Sequence, residues 1–516
     1  MNHTSTKTPT WAQSFTALWD RRMLTLALLG FSAGLPILLI FSSLSLWLLE
    51  AGVERKAVTF FSWAALGYSF KFVWAPLVDR MPLPVLTGWL GQRRSWLLLA
   101  QVGVVVALLG MASVDPAQGG TSLAFMAALA VLLGFSSATQ DVVIDAYRIE
   151  SAPPSLQPLL SSAYIGGYRV GMIVAGAGAL YLASYWGSAK GAYLFSAWQQ
   201  TYAVMAAAMA IGILTNFFMP EPDRPGAGSW SAEGNLRLFA VFAGGVGAFV
   251  AVFFWLGEWA KAQWGGTLGP LGSLLWETVR MLSALGAAGA LGYLLVSWGV
   301  AQASVARQTW VVPIQDFFAR YGARTAWLLL ALIGLYRISD IVLGVISNVF
   351  YADLGYSKIE IANAVKTYGV VIGIVGGLLG GILATRWGVM RCLFWGAVTA
   401  ALTNLAFVVL AEVGYSLPLL YAVVSADNLA AGFASAAFVG FLSSLVNVSF
   451  TATQYALFSS LMTLLPKTLG GYSGGMVDTL GYPGFFVLTA LMGLPVIALV
   501  VLTGRHVVSK DGGRAN

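Results

Sequence analysis

The sequence predicts an all-α integral membrane protein of two six-helix bundles plus two extra helices, fourteen transmembrane helices in all. Three observations carry this. The 516 residues are 58% hydrophobic and only 9% charged, where a soluble domain carries about 25% charge. Apolar runs of about 20 residues, enough to cross a bilayer, recur along the whole chain. Lys and Arg gather in the links that fall on one side.

The chain opens with a polar segment, 1–22, followed by an apolar run with no small-residue cleavage signal, so 23–50 reads as the first crossing and not as a removed leader. The first bundle, 23–219, continues with crossings at 57–78, 95–114, 122–148, 158–184 and 199–219. The link MPEPDRPGAGSWSAEGNLR then breaks the pattern with Pro and Gly and reads as a flexible joint. The segment 220–324 carries two further crossings, 236–259 and 273–303, whose few ionisable residues lie near their ends; they read as a peripheral insertion. The second bundle, 325–503, has crossings at 325–350, 360–385, 390–411, 418–446, 452–476 and 481–503, and 504–516 is a polar tail. With the N-terminus inside, seventeen Lys and Arg fall on the inner side against about six outside, so both termini are expected in the cytoplasm.

Each bundle has a short basic, Gly-containing turn between its second and third helices. The first reads APLVDRMPLPVLTGWLGQRRSW and the second GGLLGGILATRWGVMRC, with Arg386 and Arg391. Two similar bundles related across a membrane-normal axis are a known transporter architecture.

Five basic residues remain inside the crossings: Lys71, Arg169, Arg337, Lys366 and Lys467. Facing lipid they would cost too much, so they line a polar interior. Internal ion pairs are one reading, and Asp340, three residues after Arg337, can neutralise it. An unpaired cationic interior is the other, and would suit an anionic substrate. Asp141, Asp145 and Arg148 share one face of the fourth crossing. Asp141 lies deeper, at a depth similar to Lys71, and is the expected proton site with Lys71 as its partner. Asp145 and Arg148 lie near the cytoplasmic interface and are expected to join a gate. Simple salt-bridging of both carboxylates is the alternative. Gln140, Tyr164, Tyr168, Tyr336, Asn348, Tyr368 and Gln454 lie within or near the inner ends of helices. Rings stack on sugar faces, and amides and hydroxyls bond their polar edges, so these residues are candidate substrate contacts.

Several classes are excluded or disfavoured. There is no GxxxxGK[ST] loop, HExxH or GxSxG, so neither an ATP-driven pump nor an enzyme is expected. With one cysteine, and two histidines near the termini, no metal site or cofactor is expected. The formal charge of +7 follows the membrane links and gives no nucleic-acid signal. Protons are the expected coupling ion. Membrane lipids are the expected surroundings, and no obligate protein partner is evident.

KFVWAPLVDR (71–80) with LGQRRSW (90–96), followed by GFSSATQDVVIDAY (134–147), strongly resembles the AmpG-type muropeptide permeases. These form a branch of the major facilitator superfamily grouped with acetyl-CoA transporters. The resemblance runs over nearly the whole chain. It implies a major facilitator fold and proton-coupled import of anhydro-muropeptides. The substrate class is N-acetylglucosamine–1,6-anhydro-N-acetylmuramic acid with or without stem peptide. Import runs across a bacterial inner membrane and feeds peptidoglycan recycling and β-lactamase induction. It further implies that Asp79, Arg80, Gly91, Arg93 and Arg94 latch the cytoplasmic side, although Asp79 and Arg93 are spaced more widely than in the common superfamily motif. A related carrier for another large anion, such as an acyl-CoA or a peptide, is the alternative.

Overall fold

The computed structural model describes residues 20–53, 68, 70–189, 191–223, 232–264, 270–470 and 472–512. Every long element among them is a helix. In the first half these are α1 (Arg21–Leu38), α2 (Ala75–Arg80), α3 (Gln92–Ala112), α4 (Gly120–Glu150), α5 (Gln157–Ile173) and α6 (Phe195–Ala208), the last continuing as Ala210–Phe218. The insertion supplies α7 (Ala232–Trp264) and α8 (Pro270–Ser297), and a shorter α9 (Val312–Tyr321) follows. The second half holds α10 (Ala323–Leu335), α11 (Ile338–Asp353), α12 (Gly369–Trp387), α13 (Val389–Val413), α14 (Leu417–Ser444), α15 (Thr451–Gly470) and α16 (Ser473–Gly512).

Twelve helices among the described residues are long and apolar enough to cross a membrane. Two of the fourteen expected crossings are not among them. The second, 57–78, lies mostly outside the described residues, and only its end is seen, as a 3-10 turn Lys71–Val73 leading into α2. The thirteenth is α15, whose Thr, Ser, Gln454, Pro466 and Lys467 make it more polar than the others. α15 ends at Gly470 and α16 begins at Ser473, and a kink falls at Gly481 inside α16. The expected long crossing 273–303 stops at Ser297.

The crossings are interrupted at intramembrane cations, of which Lys71 is buried, Arg337 half-buried and Lys366 exposed. Lys71 begins the 3-10 turn. Arg337 sits with non-helical ψ (12°) between α10 and α11. Lys366 lies in a π-helical turn, Ala362–Tyr368, ahead of α12. Such breaks are tolerated in a bilayer only where the freed backbone faces protein or a water-lined space. Further π-turns follow α1, at Leu39–Ser43, and α5, at Val174–Gly178.

The two basic turns match in backbone form. Gly91 caps α3 with φ 88°, ψ 172°, and Gly388 caps α13 with φ 86°, ψ 149°. Both conformations are open to Gly and costly for other residues.

α1 and α5 cross in near backbone contact. A Cβ on Gly167 would stand 1.9 Å from the Ala27 carbonyl oxygen, and one on Gly34 2.1 Å from that of Tyr168. Backbone offers no rotamer to swing away, so Gly167→Ala must spread the pair. We expect it to cost about 3 kcal/mol of stability, read as a lower melting temperature in detergent. Gly166→Ala is the control, since a Cβ there meets only the Ile374 side chain at 3.6 Å.

Buried apolar side chains form one cluster mainly in the second half, joined by Phe317 of α9 and Ile149 of α4, and one in the first half around Trp47, Trp198 and Tyr202. A third mixes the halves, packing Leu77, Val78, Ile144 and Leu160 against Ile382, Ala452 and Ala456. It lies at the arginine-rich end. α7 and α8 pack mainly on each other and expose most of their apolar surface, as lipid-facing helices do. They meet the first half at Phe249 and Phe70, whose rings are 5.8 Å apart.

Candidate functional site

At the arginine-rich end, α2 presents Asp79, 4% exposed, to the first turn of α15. Its carboxylate accepts from the Ala452 N–H (3.0 Å), the Thr453 N–H (2.8 Å) and the Thr453 hydroxyl (2.7 Å). A helix N-terminus has unpaired N–H groups and a partial positive charge, so a carboxylate belongs there. The fully buried Arg93 guanidinium donates to Asp79 at 2.7 Å and to Glu150 at 2.6 and 2.9 Å. Each buried charge is thereby paired and hydrogen-bonded.

Around this core, Glu221 caps α3, accepting from the Arg93 and Arg94 N–H groups at 2.7 and 3.1 Å. Burial raises its carboxyl above the usual range, and those two N–H donors oppose the rise. A Cβ on Gly91 would stand 2.5 Å from the Glu221 side chain, so the glycine makes room for the cap. Arg94 turns away and binds the Asn216 and Phe217 carbonyls at the end of the sixth crossing. Arg80 lies over the Phe450 ring, 5.2 Å from its centre, across the boundary between halves.

Arg148 crosses the same boundary. It donates to Ser443 of α14 at 2.8 Å, to Gln157 and Ser161 of α5, and to Asp145 at 3.3 Å. Asp145 also meets the Lys71 ammonium at 3.8 Å. Lys71 also faces Asp141 electrostatically, so it stands between the two carboxylates and nearer to Asp145. Asp141, 7% exposed, is left with the Tyr164 hydroxyl at 3.4 Å. No cation among the described residues lies within ion-pair distance of it. Tyr68, which bonds Ser137 at 2.6 Å, also faces it electrostatically.

A second charged group lies between the halves. Arg169 of α5 reaches over Gly373 of α12, where a Cβ would stand 2.3 Å from its Nη1. Arg337 and Asp340 approach to 3.9 Å. Asp427 of α14 is within electrostatic range of Arg169, Arg337 and Asp340. Sequence reasoning missed Asp427 because the tally of intramembrane charges counted only cations; the acidic residue in SADNLAAG was there to be found. It also missed Glu150 and Glu221, which join the Arg93 network only through contacts distant in sequence.

The other expected contacts divide. Tyr164 and Tyr168 are half-buried with rings 6.0 Å apart; Tyr164 meets Asp141 and Tyr168 directly precedes Arg169. Tyr368 is exposed and bonds Ser425 at 2.9 Å. Gln140 is fully buried inside the first half, donating to Ser32 at 3.3 Å. Tyr336 is stacked on Phe438 and donates to the Leu393 carbonyl, a core position. Gln454 is tied up at the arginine-rich end: it donates to the Pro313 carbonyl and Asp316 of α9, and accepts from the Asn447 N–H and Arg320. Asn348 is exposed toward the Asp353 end of α11, the end opposite to the arginines, and so not the expected inner end. Arg386 is half-buried and Arg391 exposed beside the Gly388 turn. Among the described residues, no group of His, Cys, Asp and Glu could hold a metal ion.

A profile of the acetyl-coenzyme A transporter 1 family matches residues 22–190. The anhydromuropeptide permease of Escherichia coli K12 is 29% identical, over 93% of this chain and 79% of its own. The solved proton:xylose symporter XylE of the major facilitator superfamily superposes with a TM-score of 0.58 at 12% identity, covering 94% of this chain and 95% of that one. That likeness gives the fold. The AmpG 4 protein of Rickettsia felis is 32% identical over 95% of this chain and 98% of its own length. Identity at that level along both chains, on a major facilitator fold, places this protein in the AmpG family of major facilitator transporters.

Proposed function

We propose that the chain imports anhydro-muropeptides from periplasm to cytoplasm, coupled to protons, by alternating access in a bacterial inner membrane. Fourteen crossings then form two six-helix bundles with a two-helix insertion, both termini lying in the cytoplasm. The arginine-rich end is the cytoplasmic gate, closed in this structure. The observation that carries the substrate reading is the similarity to the Escherichia coli anhydromuropeptide permease along nearly the whole chain. The charged residues between the halves support a polar solute, and Asp141, buried with no cation within ion-pair distance among the described residues, supports the proton.

The acetyl-coenzyme A transporter profile favours a second reading, a carrier for an acyl-CoA. Reconstituted vesicles decide between them. Labelled anhydro-disaccharide should accumulate uphill when the outside is acid, and a protonophore should abolish this. Uptake of acetyl-CoA instead, or none that responds to the gradient, would overturn the proposal. Arg169→Glu should reduce uptake of peptide-bearing disaccharide about tenfold, with a smaller loss for the bare disaccharide. Equal losses would remove Arg169 as a carboxylate contact.

A further inference from the structure

The formal charges of this second group sum to zero: Arg169 and Arg337 face Asp340 and Asp427, two positive groups and two negative. Three helices supply them. Arg169 comes from α5 of the first half, Arg337 from the break ahead of α11, Asp340 from the first turn of α11, and Asp427 from α14.

The backbone brings them together. α12 and α14 touch where a Cβ on Gly432 would stand 2.1 Å from the Gly373 carbonyl oxygen, and the Arg169 guanidinium lies over that same Gly373. Asp427 is five residues from Gly432, about 7 Å along the helix at 1.5 Å per residue. It has no hydrogen bond or ion pair among the described residues, and neither has Arg169. Among the described residues, Tyr351 is a further titratable group that faces it.

A purely anionic solute fits this arrangement poorly. Its carboxylate would meet two arginines whose charge two aspartates already balance, and would bring a third negative group into a low-dielectric space. A solute with both signs fits it well. Its carboxylate can take Arg169 or Arg337 while its ammonium takes Asp427, and no like charges are forced together. The geometry points to a site for a zwitterionic peptide end, a carboxylate together with a free amine, with Asp427 as the group that receives the amine. This rests on the muropeptide reading only in assigning the peptide to a disaccharide.

The test uses purified full-length protein in detergent and ligand-induced thermal shift. Two pairs of probes are compared: a disaccharide-peptide with one side-chain amine and its N-acetylated form, and the same two peptides without sugar. The amine form of a pair should bind about tenfold more tightly than the acetylated form. Asp427→Asn should erase that preference, and Asp427→Glu should retain part of it, which separates lost charge from lost fold. No preference in either pair, or a preference that survives Asp427→Asn, overturns the inference. A preference seen only in the sugar-free pair upholds the two-signed site and removes the muropeptide reading instead.

Discussion

Asp141→Asn is expected to abolish uphill accumulation of substrate while leaving counterflow exchange. Asn keeps the shape of the side chain and can still accept from the Tyr164 hydroxyl, which lies 3.4 Å from the carboxylate. It cannot carry a proton. With one proton per cycle, one pH unit across the membrane is worth about 1.4 kcal/mol, or about tenfold accumulation. The variant should bring that ratio to about one, measured as steady-state uptake into vesicles with and without the gradient. Accumulation that persists at the wild-type ratio would exclude Asp141 as the essential carrier. Asp145 makes the contrast: held by Lys71 at 3.8 Å and Arg148 at 3.3 Å, it is a fixed member of the ion-pair network.

Asp79→Asn should open the arginine-rich end. The carboxylate now receives four donors, three of them from α15 and one from Arg93. An amide loses the charge that strengthens all four, and its NH2 group faces donors where an acceptor is wanted. Breaking a buried ionic network of this kind costs about 3 kcal/mol, enough to move the closed-to-open ratio by about a hundredfold. A thiol introduced as Ala456→Cys reports it, because Ala456 is 1% exposed between the halves and the native Cys392 is itself buried. Labelling should quicken markedly in the Asp79→Asn background, and an unchanged rate would remove Asp79 from the latch.

The crossings were readable because each needs a long apolar run, a property of local sequence. So was Asp79 with Arg93, since a family motif sits in adjacent turns. The place of Lys71 was readable only in part: its ammonium faces Asp141 but comes closer to Asp145, at 3.8 Å, and that difference in reach is a matter of three-dimensional placement. Gln454 was misplaced for another reason. In sequence it is a polar residue in an apolar helix, and only tertiary structure brings α9 over it to bond its amide. Tyr336 shows a third limit, since an aromatic stacked on Phe438 and one facing a cavity look alike in a string of letters.

The contact of Asp79 with α15 also divides mutational risk unequally. On one side stands a particular side chain, Asp79; on the other, two of the three donors from α15 are main-chain N–H groups of Ala452 and Thr453. Every amino acid except proline carries that donor. The receiving strip of α15 can therefore drift in sequence and still engage, losing only the threonine hydroxyl, whereas the first half has no such freedom at position 79. Variants that spring the gate should accumulate on one partner of a two-partner contact.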